Sequence, residues 1–379
     1  MAPNTTRPIL DDPRLYWIGF NLVKGIGSVR FKGLLDFFGD PAVAWNAPAD
    51  ALSAAGLSPK IIENLNQVRS QVMLDKVWER MQSQGITFLT WEDENYPRHL
   101  KNIDQPPPVL YVRGELLPED DWAVAVVGTR KVTSYGRQVT EEIAAFLAQN
   151  GVTVVSGLAR GVDGIAHQAA LKAGGRTIAV FGSGVDRIYP SENRRLAEEI
   201  SVRGALISDY PPGTAPDGAN FPPRNRIISG LSMAVVVVEA GVTSGALITA
   251  AFAAEQGRDV FAVPGSILAP QSKGTNRLIQ DGAQPLLDVQ EILEVLNLTQ
   301  VTEHRTARQV LPTDPTEMRI FHALSAEPLH VDEVGAQTNL PIEQVSATLA
   351  MMELKGLVRQ VGGMHYVALR EPTEKYEVE

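Results

Sequence analysis

Ala123-Val124-Ala125-Val126-Val127-Gly128-Thr129-Arg130-Lys131 is the stretch from which the fold can be read. Val124–Val127 is short and apolar on both faces, as in a strand buried within a parallel sheet. A glycine, a hydroxyl and two cations follow it directly. The same grammar recurs at Thr153–Val155, Thr177–Phe181, Ala205–Ser208, Ala234–Glu239 and Asp259–Ala262. Between these runs, helical patterns begin near Gly136, Asp163, Asn193, Arg224 and Gly245. Strands alternating with helices predict an α/β domain, a doubly wound and mostly parallel (Rossmann-like) sheet, over residues 105–298.

Outward from this centre the patterns change. Residues 1–104 are expected to form an all-α N-terminal domain of helix-hairpin-helix or SAM-like type. Leu15, Ile18, Leu22 and Val23 recur at helical spacing, as do Ile61, Leu65, Val68, Val72, Leu74 and Val77. Between them lies Lys24-Gly25-Ile26-Gly27-Ser28-Val29-Arg30, a glycine hairpin in which Ser28 is placed to cap a helix over Val29–Phe38. Its backbone N–H groups suit either a plain interhelical turn or a contact with DNA phosphates. Pro106-Pro107-Pro108 reads as a stiff connector. Residues 299–314 read as a linker, and 315–372 as a winged-helix domain. There, helices at Glu317–Leu324, Val331–Gln337 and Pro341–Lys355 precede a hairpin of Val358–Val361 and His365–Leu369, turning at Gly362-Gly363.

Composition narrows the function. The 379 residues hold no cysteine, which excludes a disulfide framework, a cysteine zinc site and a thiol nucleophile. No apolar run approaches the roughly 18 residues of a membrane helix, and Met1–Asp12 has no apolar signal core, so a soluble cytoplasmic protein with no membrane partner is expected. Net charge is −10, from 34 basic and 44 acidic residues, which taken whole argues against a nucleic-acid binder. Residues 128–230, however, carry 12 basic against 9 acidic residues. A basic centre inside an acidic chain points to a local anion site. The tail, residues 312–379, is acidic, with 5 basic against 11 acidic residues. Its recognition-helix candidate holds Glu343, Glu353 and a single cation, Lys355, so contact with protein is expected there rather than groove reading.

In an open parallel sheet, ligands bind outside the carboxyl ends of the strands. Six strand ends carry glycine or hydroxyl loops. Three of them are Gly128-Thr129-Arg130, Ser156-Gly157-Leu158-Ala159-Arg160-Gly161 and Gly182-Ser183-Gly184. Another three are Asp209-Tyr210-Pro211-Pro212-Gly213, Gly241-Val242-Thr243-Ser244-Gly245 and Pro264-Gly265-Ser266. Glycine lets backbone N–H groups approach an anion and helix N-termini add positive dipole. No Gly-x-x-x-x-Gly-Lys-[Ser/Thr] or complete Gly-x-Gly-x-x-Gly is present, which weakens ATP and NAD readings, and no cofactor is expected. Asn220-Phe221-Pro222-Pro223-Arg224-Asn225-Arg226 joins an aromatic ring to arginines at a helix start. That combination serves base stacking with phosphate pairing, as in single-strand binding, or equally a ring packed into the core. Asp163 and His167, four apart on one helix face, lack the third member of a triad or metal set and read as a structural pair. Glu239 ends a buried strand, either functional or paired with an arginine.

These loops carry a family resemblance. The chain resembles the DNA-processing protein A (DprA, or Smf) family in Val127–Arg130, Ser156–His167, Gly182–Asp186 with Tyr189–Asn193, Asn220–Gly230, Glu239–Thr249 and Val263–Gly265. The stretches run in order across the whole central domain. The resemblance implies a non-enzymatic role: protecting incoming single-stranded DNA and loading RecA recombinase during natural transformation, as a homodimer through the central domain. It maps DNA contact onto Arg130, Phe221, Arg224 and Arg226. The strand-end loops add Gly128, Thr129, Ser156, Gly157, Arg160, Gly182, Ser183, Asn225, Ser244 and Gly245. Some members have lysine where this chain has Ser191, and a basic residue near Ala219 and Asn220. Two rivals stand. The central fold is also similar to nucleoside-monophosphate phosphoribohydrolases, but Gly241–Ile248 lacks their paired glycines and glutamate. A winged-helix regulator with a small-ligand sensor is disfavoured by the acidic tail. The expected mechanism seats phosphates on strand-end amides, Arg130 and Arg224, with bases stacked near Phe221.

Overall fold

The computed structural model describes residues 12–296, 314–324, 328–354, 357–361 and 363–368. They fall into two compact units, Met1–Leu296 and Asn297–Glu379. Apart from Asp314, the expected linker lies outside the described residues, as do Met1–Asp11, Gly362 and Leu369.

The first unit is built on a sheet of strands β1 (Ile86–Thr90), β2 (Val109–Gly114), β3 (Ala123–Val127), β4 (Thr153–Ser156), β5 (Thr177–Val180), β6 (Ala205–Ser208), β7 (Ala234–Val237), β8 (Asp259–Ala262) and β9 (Gln284–Pro285). Their spatial order is β1-β2-β6-β5-β4-β3-β7-β8-β9. From β3 to β9 every pairing is parallel. All residues of β3 to β7 are buried, so these runs are apolar on both faces because helices cover both. The order reverses between β3 and β7, the adjacent strands from which the chain winds outward in opposite directions. This topological switch point is where an open α/β sheet opens a crevice. The doubly wound fold expected from the strand runs is the one observed.

The edge differs from the sequence reading. Residues 12–104 read as helical throughout, but Ile86–Thr90 is a strand, antiparallel to β2, which is itself antiparallel to β6. Gly85, at φ +65, ends the preceding helix Leu74–Ser83. Ile86, Phe88 and Thr90 then point inward while Thr87 is exposed. That period-2 run is only five residues long and follows a long helical pattern, so its signal is weak. The proline connector likewise feeds directly into β2. One apolar cluster joins Trp17, Phe31, Leu34 and Leu65 of the N-terminal helices to Phe88 and Tyr111 of the edge strands. Tyr111 donates its hydroxyl to Asn21 at 2.9 Å, so the helical layer and the sheet edge share one core. Ser28 does not cap its helix. Gly27 holds the N-cap position with no side-chain bond, and the Ser28 hydroxyl donates to the Pro106 carbonyl at 2.8 Å.

The second unit has helices at Pro315–Ala323, Val331–Thr338 and Ile342–Leu354 and a three-stranded sheet in which His365–Ala368 lies between Leu329–His330 and Val358–Gln360. Ile320, Val334, Val345, Leu349 and Val358 fill its core. This is the winged-helix plan. Among the described residues no helix is long and apolar enough to cross a membrane.

Candidate nucleic-acid interface

The loops after β3 and β7 frame a crevice of about 720 Å³ at the switch point, with Phe221, Arg224 and Asn225 from the helix Phe221–Gly230 forming part of its wall. Of the residues expected at the site, Gly128, Thr129, Arg130, Phe221, Arg224, Asn225, Ser244 and Gly245 line this crevice. Gly157 and Arg160 line a small adjoining recess together with Arg130, Tyr189, Phe221 and Arg224. Close packing demands glycine at two positions in the strand-end loops. A Cβ on Gly128 would lie 2.6 Å from Val162 Cγ2. Gly161, at φ +77, would put one 2.3 Å from the Thr129 carbonyl.

The cations divide by burial. Arg130 is exposed, has no ion pair or hydrogen bond among the described residues, and holds its guanidinium 5.9 Å from the centre of the Phe221 ring. Asp163 is the only carboxylate in the crevice lining, and it is buried. Arg224 is 5% exposed. Its Nη1 donates to the carbonyls of Gly157, at 3.0 Å, and Val180, and its Nε donates to Asn225 Oδ1 at 3.2 Å. Burial pulls its pKa down to about 10. The sequence reading made Arg224 a phosphate-gripping arm, whereas the structure makes it the floor, tying the ends of β4 and β5 together beneath the ring at 5.7 Å.

Four expected residues are turned away. The Ser156 hydroxyl is buried and donates to Val126 O at 2.7 Å. Ser183 is buried and donates to Arg187 O at 2.8 Å. Gly182 backs the Phe221 ring, where a Cβ would fall 2.9 Å from Cδ1. Arg226 pairs with Asp209 at 2.8 Å and donates to the Gln105 carbonyl, anchoring the connector rather than the crevice. Arg160 is exposed but paired with Glu192. The strand-end amides are also largely committed. Thr129 N–H donates to Glu239 O at 2.7 Å, and the N–H groups of Gly157 and Ala159 donate to Asp163 Oδ2 at 3.1 and 3.4 Å. Burial raises the Asp163 pKa, with Arg224 and these donors opposing it.

One ring was missed by sequence reasoning. Tyr189 stacks on Phe221 with centroids 5.8 Å apart and planes at 28°, and it is 48% exposed. Phe221 is half-buried, so Tyr189 carries much of the open aromatic face. The signal was the Tyr189-Pro190 pair in the loop after β5, noticed only as part of a motif.

The remaining titratable groups do not assemble catalysis. His167 is fully buried, and its Nδ1 lies 2.6 Å from the Thr177 hydroxyl. That hydroxyl donates to Val154 O, so it accepts from Nδ1–H. Burial pushes its pKa to about 3. Glu239 pairs with no arginine among the described residues; it accepts from the hydroxyl of Thr133 at 2.5 Å and from its N–H at 3.0 Å, at the start of helix Ser134–Gln149.

Fold and crevice together define a class: doubly wound α/β proteins whose switch-point cleft is lined by glycine loops, stacked rings and an exposed arginine. Residues 87–297 match the family of DNA recombination-mediator protein A, and residues 304–364 match the DprA winged helix domain. Protein Smf of Synechocystis is 38% identical over 93% of this chain and 98% of its own. The X-ray structure of DNA processing protein A from Streptococcus pneumoniae superposes with a TM-score of 0.65 at 35% identity, covering 74% of this chain and 97% of that one. DNA processing protein A from Helicobacter pylori, whose structure concerns its single-stranded DNA binding mode, gives a TM-score of 0.51 at 34% identity over 56% of this chain and 95% of that one. The chain belongs to the DNA recombination-mediator protein A family. The matched family and relatives are described by DNA recombination and DNA processing, a class apart from the phosphoribohydrolase alternative.

Proposed function

We propose that this chain binds single-stranded DNA in the switch-point crevice, shields it, and delivers it to RecA recombinase during transformation or recombination. The observation that carries the reading is the unpaired, exposed Arg130 guanidinium beside the Phe221–Tyr189 stack. An exposed cation takes a phosphate, and an adjoining aromatic face takes a base of any sequence. The H. pylori relative's single-strand binding supports the same ligand here. Delivery to RecA, a homodimer through the first unit and a cytoplasmic location rest on the family resemblance. The buried, internally bonded states of Asp163, His167 and Glu239 weigh against nucleotide hydrolysis.

The test is fluorescence anisotropy with labelled single-stranded and duplex oligonucleotides over a salt series, with Arg130→Ala beside the wild type. Preferential single-strand binding is expected. Its salt slope should fall by about 0.7 in the variant, one phosphate contact's share. Equal affinity of wild type and variant at every salt concentration would move the site elsewhere. Dimerisation is read by light scattering, and RecA delivery by the rate of RecA filament growth on protein-covered DNA.

A further inference from the structure

The crevice has a continuation. Ala159 and Arg160 line the recess beside the Phe221 ring and also a second groove of about 620 Å³, between the helices Val162–Lys172 and Arg194–Arg203. Five cations face this groove: Arg137, Arg160, Lys172, Arg195 and Arg203. Its two carboxylates, Glu192 and Glu199, are already bonded to Arg160 and Arg195, and Arg137 pairs with Glu141 at 3.9 Å, which leaves Lys172 and Arg203. Arg203 donates to the Leu171 carbonyl at 3.0 Å, a neutral acceptor that leaves its charge uncompensated. Lys172 is exposed and has no carboxylate partner among the described residues. A chain of net charge −10 therefore keeps a positive strip on this side of the Gly157–Gly164 loop.

The geometry points to a second phosphate-binding track, holding the nucleotides of the same DNA strand that have passed beyond the crevice at Arg160. This rests on the crevice reading above. The lining decides the chemistry. The cations lie on both walls, Lys172 on one helix and Arg195 and Arg203 at opposite ends of the other, a 10-residue helix about 15 Å long at 1.5 Å per residue, so they meet a string of charges rather than one anion. No aromatic ring lines the groove, so backbone phosphates are held there and the bases stay in solvent. The crevice takes base and phosphate, and the track takes phosphate alone.

The test compares wild type with a Lys172→Gln/Arg203→Gln double variant on 6- and 20-nucleotide oligothymidylates, and on a 20-mer whose distal half is abasic. Two lost contacts should lower the salt slope on both long strands by about 1.4 and leave the 6-mer unchanged. At 0.1 M salt that is roughly a 25-fold loss, taking the electrostatic part to vanish near 1 M. Because the chain has no cysteine, a photo-cross-linker on Lys172→Cys reports the track directly. It should capture the 20-mers and not the 6-mer. An unchanged 20-mer, an equal loss on both lengths, a long-strand contribution that needs bases, or no length-dependent cross-link would overturn the track and leave the crevice standing. Wild type that binds no length at all would overturn both.

Discussion

Replacing Arg224 with alanine should cost stability first, and DNA affinity only as a consequence. The guanidinium is buried and bonds two backbone carbonyls at the ends of β4 and β5 as well as Asn225. A hydrogen bond from a charged group contributes about 1.5–3 kcal/mol. Removal also strips buried Asp163 of the cation that opposes its desolvation. Breaking such a buried arrangement costs on the order of 3–5 kcal/mol. For a unit of nearly 300 residues, 1 kcal/mol moves the melting temperature by roughly 2 °C, so Arg224→Ala should melt about 6–10 °C lower. Arg130→Ala, which removes an exposed side chain, should melt with the wild type. Thermal unfolding by circular dichroism, run beside anisotropy below the transition, separates the two effects. The reasoning is refuted if Arg224→Ala melts with the wild type and its binding loses salt slope as Arg130→Ala does. Arg224 would then reach phosphate instead of holding the floor.

Phe221→Ala and Tyr189→Ala should each weaken single-strand binding by about 1–3 kcal/mol, the contribution of a stacked base, with an unchanged salt slope; a slope that moves would make the rings props for Arg130. Acidification should destabilise the protein through His167. Its folded pKa is depressed to about 3 while the unfolded value is near 6.5, so the unfolded chain takes the proton first. Stability is present above the unfolded value and lost as pH falls from about 7 toward 3, by about 2 kcal/mol between pH 7 and 5. Denaturant titrations at both pH values should show that difference in wild type and not in His167→Gln. Gly161→Ala should destabilise by more than 1 kcal/mol, combining positive φ with a clash on the Thr129 carbonyl; chemical denaturation checks it.

The central sheet was legible because burial on both faces writes itself into sequence as short Val- and Ala-rich runs, most of them followed closely by glycine. The edge was not. Ile86–Thr90 has one solvent-facing side and only five residues, and it is a strand because Val109–Arg113 lies beside it, a partner about 20 residues away. Spacing within a window cannot report that pairing. The same holds for Ser28, whose hydroxyl looked like a cap and instead found the Pro106 carbonyl, 78 residues on.

The site was legible as a place and less so as a set of roles. Strand ends can be listed from sequence, and the switch-point rule collects them. Which way a side chain points depends on the neighbouring strand. Ser156 ends a strand and Ser183 follows one, much as Thr129 does, but their hydroxyls meet buried carbonyls and turn inward. The three arginines 130, 224 and 226 carry the same charge and sit in similar glycine- or proline-rich contexts, yet one is open, one is a floor and one is an anchor. What separates them is burial. A guanidinium enclosed by carbonyls cannot leave them for a phosphate without exposing those carbonyls unpaired, so a buried arginine is bound to its scaffold. The exposed one gives up only water and weak ring contact when a phosphate arrives. On the proposed reading, affinity in this crevice depends on Arg130 and the rings, with Arg224 fixing where they stand.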